Sequence, residues 1–253
     1  MDLHIKDKVA LITGGSRGLG RAICIGLAAE GVKVAVNYHS SAAKAQQVVE
    51  EIKSKYKTDV IAVQADVSKS AQVQKMFEQT AETLGPLDIL VNNAGIWPTA
   101  YVTDMPEEQW DSTIDINMKG PFLTCRRAVQ KWLETGRTGK IVNISSQAAF
   151  YGSTTGHADY AASKAGLVTF TKSLAREVAE NGIYVNAVSP GFMATDMARD
   201  EIRNNKEQYL KRIPLGRIAE PEEIANMVVF LASDRAGYIT GATMDVNGGM
   251  LMR

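Results

Sequence analysis

The sequence predicts an α/β protein: a single Rossmann-type, doubly wound, mostly parallel seven-stranded sheet with helices on both faces. Three observations carry that prediction. Short runs rich in Val and Ile alternate with longer segments of helical period along the chain. Most of these runs are apolar throughout, as strands covered on both faces are. No Pro-, Ser- or Gly-rich linker, low-complexity tract or strong repeat divides the 253 residues, so one dinucleotide-binding and catalytic domain over 1–253 is the economical reading.

In chain order the predicted strands are Val9–Ile12, Val32–Val36, Val60–Val63, Ile89–Val91, Ile141–Ile144, Tyr184–Val188 and Met244–Val246. Helical segments fall between them at Gly18–Glu30, Ser41–Lys55, Ala71–Leu84, Glu107–Glu134, Tyr160–Glu180 and Pro221–Leu231. Pro106, Pro121 and Pro221 sit where helices start or kink. Repeated strand–helix–strand order then winds the sheet with helices on either side. The stretch Phe192–Leu215 is polar, charged and Met-bearing, and it reads as a substrate lid around 192–215.

Composition narrows the function. Apolar residues make up 45% of the chain, enough for a large core. Lys and Arg number 28 against 28 Asp and Glu, so no global field draws the protein to nucleic acid or an anionic membrane. Cys24 and Cys125 lie in apolar helical stretches and read as buried thiols, which fits a reducing compartment. The N-terminal stretch lacks the pattern of a signal peptide, and the longest apolar runs fall well short of the ~20 residues that span a bilayer. A cytoplasmic protein with no metal site is expected.

The first strand runs into Thr13-Gly14-Gly15-Ser16-Arg17-Gly18-Leu19-Gly20, which opens a helix. Glycines at 14, 18 and 20 allow a tight turn and close approach of backbone to a pyrophosphate, and the helix start offers unpaired N–H groups. The second strand ends Asn37-Tyr38-His39-Ser40-Ser41. A carboxylate there would bind the ribose of NAD and repel a 2′-phosphate; none is present, and Arg17 projects nearby. NADP(H) is therefore favoured, with NAD(H) the alternative.

Tyr160 and Lys164 stand four apart on one helix face. An ammonium beside a phenol favours the phenolate, which brings a tyrosine toward the working range of an acid and base for hydride transfer to a carbonyl. Ser146 follows the strand ending at Ile144, at the sheet edge where ligands of such sheets bind; Ser145 is its local rival, and strand alternation points the two apart. Asn117 precedes Pro121 by four residues. Pro121 lacks the N–H that would bond the Asn117 carbonyl in a helix, which leaves that carbonyl to another partner, such as a water linked to Lys164.

These pieces together resemble the short-chain dehydrogenase/reductase family in its compact form, with Asp66-Val67, Asn92-Asn93-Ala94-Gly95, Ser189-Pro190-Gly191 and Val246-Asn247-Gly248-Gly249 adding to the glycine turn and the Tyr160–Lys164 pair. The nearest likeness is to 3-oxoacyl-[acyl-carrier-protein] reductases, glucose dehydrogenases and related carbonyl reductases. The resemblance implies a catalytic set of Asn117, Ser146, Tyr160 and Lys164. It implies adenine contact at Asp66 and Val67, an Asn92–Gly95 segment that lies along the ribose through Asn93, Ala94 and Gly95 or serves as a turn supporting the central sheet, ribose hydroxyls on Lys164, and a carboxamide bordered by Pro190, Gly191 and Thr195. It also implies a homotetramer paired through the helices near 107–134 and 160–180. The segment Gln147–His157 is about one residue longer than the resemblance implies.

For the substrate, Trp97, Pro98, Tyr101, Gln147, Phe150, Tyr151, His157, Phe192 and Met193 fall in segments that border the expected cleft. Such a wall suits a partly apolar small-molecule carbonyl or alcohol. His157 is either a substrate contact or a solvated loop histidine. A 3-oxoacyl-thioester or related ketone reductase is the expected activity. The alternatives are a sugar, polyol or cyclic-alcohol dehydrogenase and a non-catalytic dinucleotide sensor.

Overall fold

The computed structural model describes residues 1–153, 155–195 and 199–253, with 199–205 described by backbone alone. Seven strands form one sheet: β1 Val9–Ile12, β2 Lys33–Tyr38, β3 Val60–Gln64, β4 Ile89–Asn92, β5 Gly139–Ile144, β6 Ile183–Pro190 and β7 Thr243–Val246. Their order across the sheet is β3-β2-β1-β4-β5-β6-β7, and every neighbouring pair is parallel. The expected mostly parallel sheet is thus wholly parallel. Register is fixed by in-step pairs such as Leu11 with Leu90 and Val142 with Asn186.

The helices are α1 Gly18–Ala29, α2 Ala42–Tyr56, α3 Ser70–Leu84, α4 Glu107–Ile114, α5 Gly120–Thr135, α6 Ala148–Tyr151, α7 Ala158–Val178, α8 Arg199–Arg212 and α9 Pro221–Ala232. They divide between the two faces because strand side chains alternate. Ala10 and Ile12 of β1 join one core with Ile23 and Leu27 of α1 and Val228 of α9. Val9 and Leu11 join the other with Phe77 of α3, Trp132 of α5 and Leu174 of α7. Both cysteines are buried and unpaired; burial pushes the Cys125 thiol up to about 12, against a hydrogen bond from Asn92. Pro221 opens α9 behind a reciprocal cap between Glu220 and Glu223. Among the described residues no helix is long and apolar enough to cross a membrane.

One predicted helix differs. The segment Glu107–Glu134 is interrupted by a π-helical turn over Asp115–Lys119, where the Gly120 N–H bonds the Asp115 carbonyl. Pro121 removes the next N–H from the ladder, and the backbone widens by one residue just before it. The chain order reverses between β1 and β4, so a crevice opens at the carboxyl ends of these strands, below the π turn.

Candidate active site

A cleft of about 410 Å³ lies in this crevice. Its floor is the turn after β1. Gly14 takes φ +64°, and a methyl built on Gly20 would overlap the Gly14 carbonyl oxygen, so both positions need glycine. The turn is held from beneath. The Asn93 amide donates to the Thr13 and Gly14 carbonyls at 2.9 and 3.1 Å, and the Gly14 N–H donates to Asn37 Oδ1 at 3.2 Å. Helix α1 begins with no side-chain cap and no acidic residue in its first turn. Its leading amides therefore suit an anion, and the glycine turn leaves room for one. Arg17 is exposed at the start of α1 and forms no ion pair among the described residues.

Ser16, Gly18, Leu19, Tyr38, His39, Ser40, Asp66, Val67, Ala94, Gly95, Pro190, Gly191 and Thr195 also line this cleft. Asn37 lines it too, but its side chain faces the protein: the amide donates to the Val63 and Ala65 carbonyls at 3.3 and 3.2 Å. It braces the turn while Tyr38, His39 and Ser40 form the rim. At Asp66, burial works against ionisation, yet hydrogen bonds from Ser68 and the nearby His39 and Lys69 hold the carboxyl below its usual range. Asn92 is turned away from the cleft, between Thr124 and Asn143 at 2.6 and 2.8 Å. The Asn92–Gly95 run thus divides its work: Asn92 knits the sheet to α5, Asn93 braces the glycine turn, and Ala94 and Gly95 line the cleft.

At the far end, α7 carries Tyr160 and Lys164. The Lys164 Nζ donates to the Ile144 carbonyl at 2.8 Å and lies 5.6 Å from the centre of the Tyr160 ring. Alternation at the end of β5 separates the two serines. Ser145 turns inward and donates to the Lys164 carbonyl at 3.0 Å. Ser146 lines the cleft, accepts from the Ala148 N–H at 3.1 Å and hydrogen-bonds Tyr160. The electrostatics differ from the simple expectation of an ammonium favouring phenolate. Burial raises the Tyr160 pKa, with Ser146 pulling it down and Tyr151 pushing it up. Burial also lowers Lys164 to about 8. Desolvation is the largest influence on both groups and disfavours charge on each.

Asn117 is fully buried within the π turn. Its Oδ1 accepts from the Ile96 N–H at 2.9 Å, and its Nδ2 donates to the Ile96 carbonyl and to Ser163 Oγ at 3.0 and 3.2 Å. A methyl on Gly95 would meet both Asn117 Oδ1, at 3.2 Å, and Lys164 Nζ, at 3.6 Å. The π turn, the Gly95 strand end and Lys164 therefore converge.

A second, smaller cavity of about 150 Å³ adjoins the first. Ser146 and Tyr160 line both. Trp97, Gln147, Tyr151, His157, Phe192 and Met193 border it, whereas Pro98, Tyr101 and Phe150 do not. The Arg253 guanidinium covers Phe150 at 3.7 Å. His157 is only 4% exposed, so it is no solvated loop residue. It stacks on Trp97 at 4.3 Å, and its Nδ1 lies 2.8 Å from the Pro98 carbonyl.

Sequence reasoning missed Tyr209 and Arg212, which also line this cavity. They stand three apart on α8, on one face. Tyr209 stacks on Phe192 at 3.8 Å, and Arg212 sits over the Tyr151 ring at 5.8 Å and hydrogen-bonds it. Only that i, i+3 pair in an otherwise polar stretch could have signalled them. The lid expected around 192–215 is thus mostly one helix, with 196–198 outside the described residues.

The family model described as enoyl-(acyl carrier protein) reductase matches residues 14–251. The chain is 49% identical over 245 residues to a 3-oxoacyl-[acyl-carrier-protein] reductase of Staphylococcus aureus, covering 97% of this chain and 98% of that protein. It is 46% identical to the protein of the same name from Synechocystis, covering 97% of each. Among solved structures it superposes on a short-chain type dehydrogenase/reductase from Mycobacterium marinum with TM-score 0.95 at 33% identity, over 100% of this chain and 98% of that one. A dehydrogenase/reductase from Sinorhizobium meliloti gives TM-score 0.93 at 36% identity, over 99% and 98%.

Proposed function

Since the chain belongs to the short-chain dehydrogenase/reductase family and is an oxidoreductase, we propose that it reduces the ketone of a 3-oxoacyl thioester with NADPH. The observation that carries this reading is the seam where Ser146 and Tyr160 border both the long cleft and the smaller cavity. A dinucleotide along the first and a carbonyl in the second would meet there. The glycine turn, the uncapped start of α1 and the rim at Tyr38, His39 and Ser40 suit the dinucleotide, and Arg17 suits a 2′-phosphate.

When bound, the nicotinamide supplies the hydride. The Tyr160 hydroxyl gives its proton to the carbonyl oxygen as that oxygen gains charge. Ser146 donates a hydrogen bond to the same oxygen. Lys164, mostly protonated at neutral pH with a pKa of about 8, would hold the ribose hydroxyls of a bound nucleotide and places positive potential behind the tyrosine. Asn117 is a positioning residue that ties Ile96 and Ser163 together. Burial keeps Tyr160 protonated, the form that a proton donor to the carbonyl oxygen needs.

The test is nicotinamide oxidation against 3-oxoacyl and 2-enoyl thioesters, ketoses and aryl ketones. We expect turnover of the 3-oxoacyl thioesters with NADPH, and with NADH at least roughly tenfold less efficiently, since one charge-assisted contact is worth about 1.5–3 kcal/mol. Arg17→Ala should erase that preference. Equal use of NADH by the unaltered chain refutes the cofactor assignment, and turnover of the enoyl thioester alone refutes the ketone.

We further propose a cytoplasmic homotetramer paired through α4, α5 and α7. Phe122 and Leu133 are 41% and 48% exposed on α5, and Phe122 meets Phe170 of α7 edge-on at 6.4 Å. A monomer in sedimentation equilibrium, or enzyme in the membrane fraction of cells, would refute the corresponding half of this proposal.

A further inference from the structure

Two acceptor atoms on residues that line the smaller cavity have no donor among the described residues. Gln147 is 6% exposed, and its Oε1 is buried without a hydrogen-bond partner. Its Nε2 lies 3.0 Å from the Met250 Sδ, and its backbone N–H donates to the Pro190 carbonyl. A thioether sulfur only accepts, so the NH₂ end of the amide must face it. That fixes which end is the oxygen and leaves Oε1 as the unmet group. His157 shows the same asymmetry. The Pro98 carbonyl at 2.8 Å only accepts, so Nδ1 carries the hydrogen and the Nε2 of the neutral ring is an acceptor. No described residue donates to it.

A buried acceptor with no donor, as Gln147 Oε1 is, is costly, and native structures rarely tolerate one without a use. Gln147 and His157 border the cavity where the carbonyl would sit, and Gln147 directly follows Ser146. We infer that Gln147 and His157 are specificity-determining acceptors that recognise a hydrogen-bond donor carried by the ketone substrate apart from its reacting carbonyl. An alkyl chain offers no such donor. A hydroxyl on the neighbouring carbon does, and so does the amide N–H of a thioester arm. The inference rests on the ketone-reductase reading and names what else the substrate must carry.

The test uses the full chain with NADPH and two matched pairs of ketones. The first pair is 3-hydroxybutan-2-one and butan-2-one, which differ by a hydroxyl. The second is the N-acetylcysteamine and S-ethyl thioesters of 3-oxobutyrate, which differ in an amide N–H. For at least one pair, kcat/KM should favour the donor-bearing member by roughly tenfold or more, the scale of one unmet buried hydrogen bond. Gln147→Met keeps the length of the side chain and replaces the amide oxygen with a methyl group, leaving only a weak thioether acceptor one atom further back. It should shrink that ratio severalfold, which separates recognition from the intrinsic reactivity of a hydroxy ketone. The pair that responds identifies the donor as hydroxyl or amide. Turnover with ratios near one in both pairs, or ratios that survive Gln147→Met, overturns the inference and leaves the ketone-reductase reading intact. No turnover with any of the four compounds overturns both.

Discussion

The long cleft and the smaller cavity share Ser146 and Tyr160 but are built from different material. The shape of the cleft is set by backbone features: the glycine turn after β1, the start of α1 and the strand ends at Ala94 and Gly191. Its side chains serve largely as braces, as Asn37 and Asn93 do. The cavity is mostly side chain, gathered from the loop at Trp97, the short α6, the start of α7 and the distant α8. A site made of backbone admits few residue types, because only glycine or a particular amide satisfies its geometry. A site made of side chains can be reworked one residue at a time without moving the sheet. The contrast explains how one fold can keep its cofactor while its substrates change.

The sharpest break comes at the seam, where the two regions meet. Tyr160→Phe removes one hydroxyl and keeps the ring that fills the space beside Trp97. General acid catalysis of this kind contributes ~10²–10⁴-fold, so kcat should fall by about a thousandfold. Nucleotide affinity, followed by fluorescence titration, should change severalfold at most. Loss of nucleotide binding in step with turnover would mean that Tyr160 belongs to the cleft alone. Retained turnover would remove it from the chemistry.

The same contrast sets how much was legible in the sequence. Most strands are readable because they are apolar on both faces, the short β7 with its exposed Asp245 being an exception, and Gly14, Gly18 and Gly20 are readable because the first two take a positive φ and the third faces the Gly14 carbonyl. The choice of Ser146 over Ser145 follows once β5 is known to end at Ile144, since alternation does the rest. The π turn was half visible: Pro121 announces a missing N–H, but whether the helix kinks or widens depends on packing against α7. The depressed pKa of Lys164 was not visible, because desolvation depends on what covers a side chain and not on which residues neighbour it in sequence. Arg212 was hidden for a related reason: nothing local to α8 says that its last turn reaches Tyr151, some sixty residues earlier in the chain.

A smaller effect tests the backbone half of the comparison. Gly20→Ala puts a methyl where the Gly14 carbonyl oxygen and the Asn93 amide already stand. The turn must shift, and overpacking of this kind costs about 1–3 kcal/mol. Nucleotide affinity should fall by roughly the tenfold or more that such an energy implies, with a modest drop in Tm. Gln147→Met, on the side-chain half, should leave nucleotide affinity within about twofold. Equal loss of nucleotide binding in both variants would erase the distinction between the two regions.

The smallest effect concerns the cost of Lys164, the charged group at the junction. Burial lowers its pKa from 10.5 to about 8 in the folded protein without nucleotide. Below pH 8 the folded chain holds a desolvated ammonium, and the fold bears the full cost, on the order of 3 kcal/mol or slightly more. Between pH 8 and 10.5 the unfolded chain still binds the proton and the folded chain does not, so this group's contribution to stability rises with pH. Lys164→Met removes the titration, although it also loses the bond to the Ile144 carbonyl, an offset that does not vary with pH. The Tm of the unaltered protein relative to Lys164→Met should therefore climb by a few degrees from pH 7 to 10, with both proteins at one concentration and without nucleotide. A flat difference would mean that Lys164 is better solvated than its burial implies. A falling one would mean that an anion, most directly the Tyr160 phenolate, already pairs with it before any cofactor arrives.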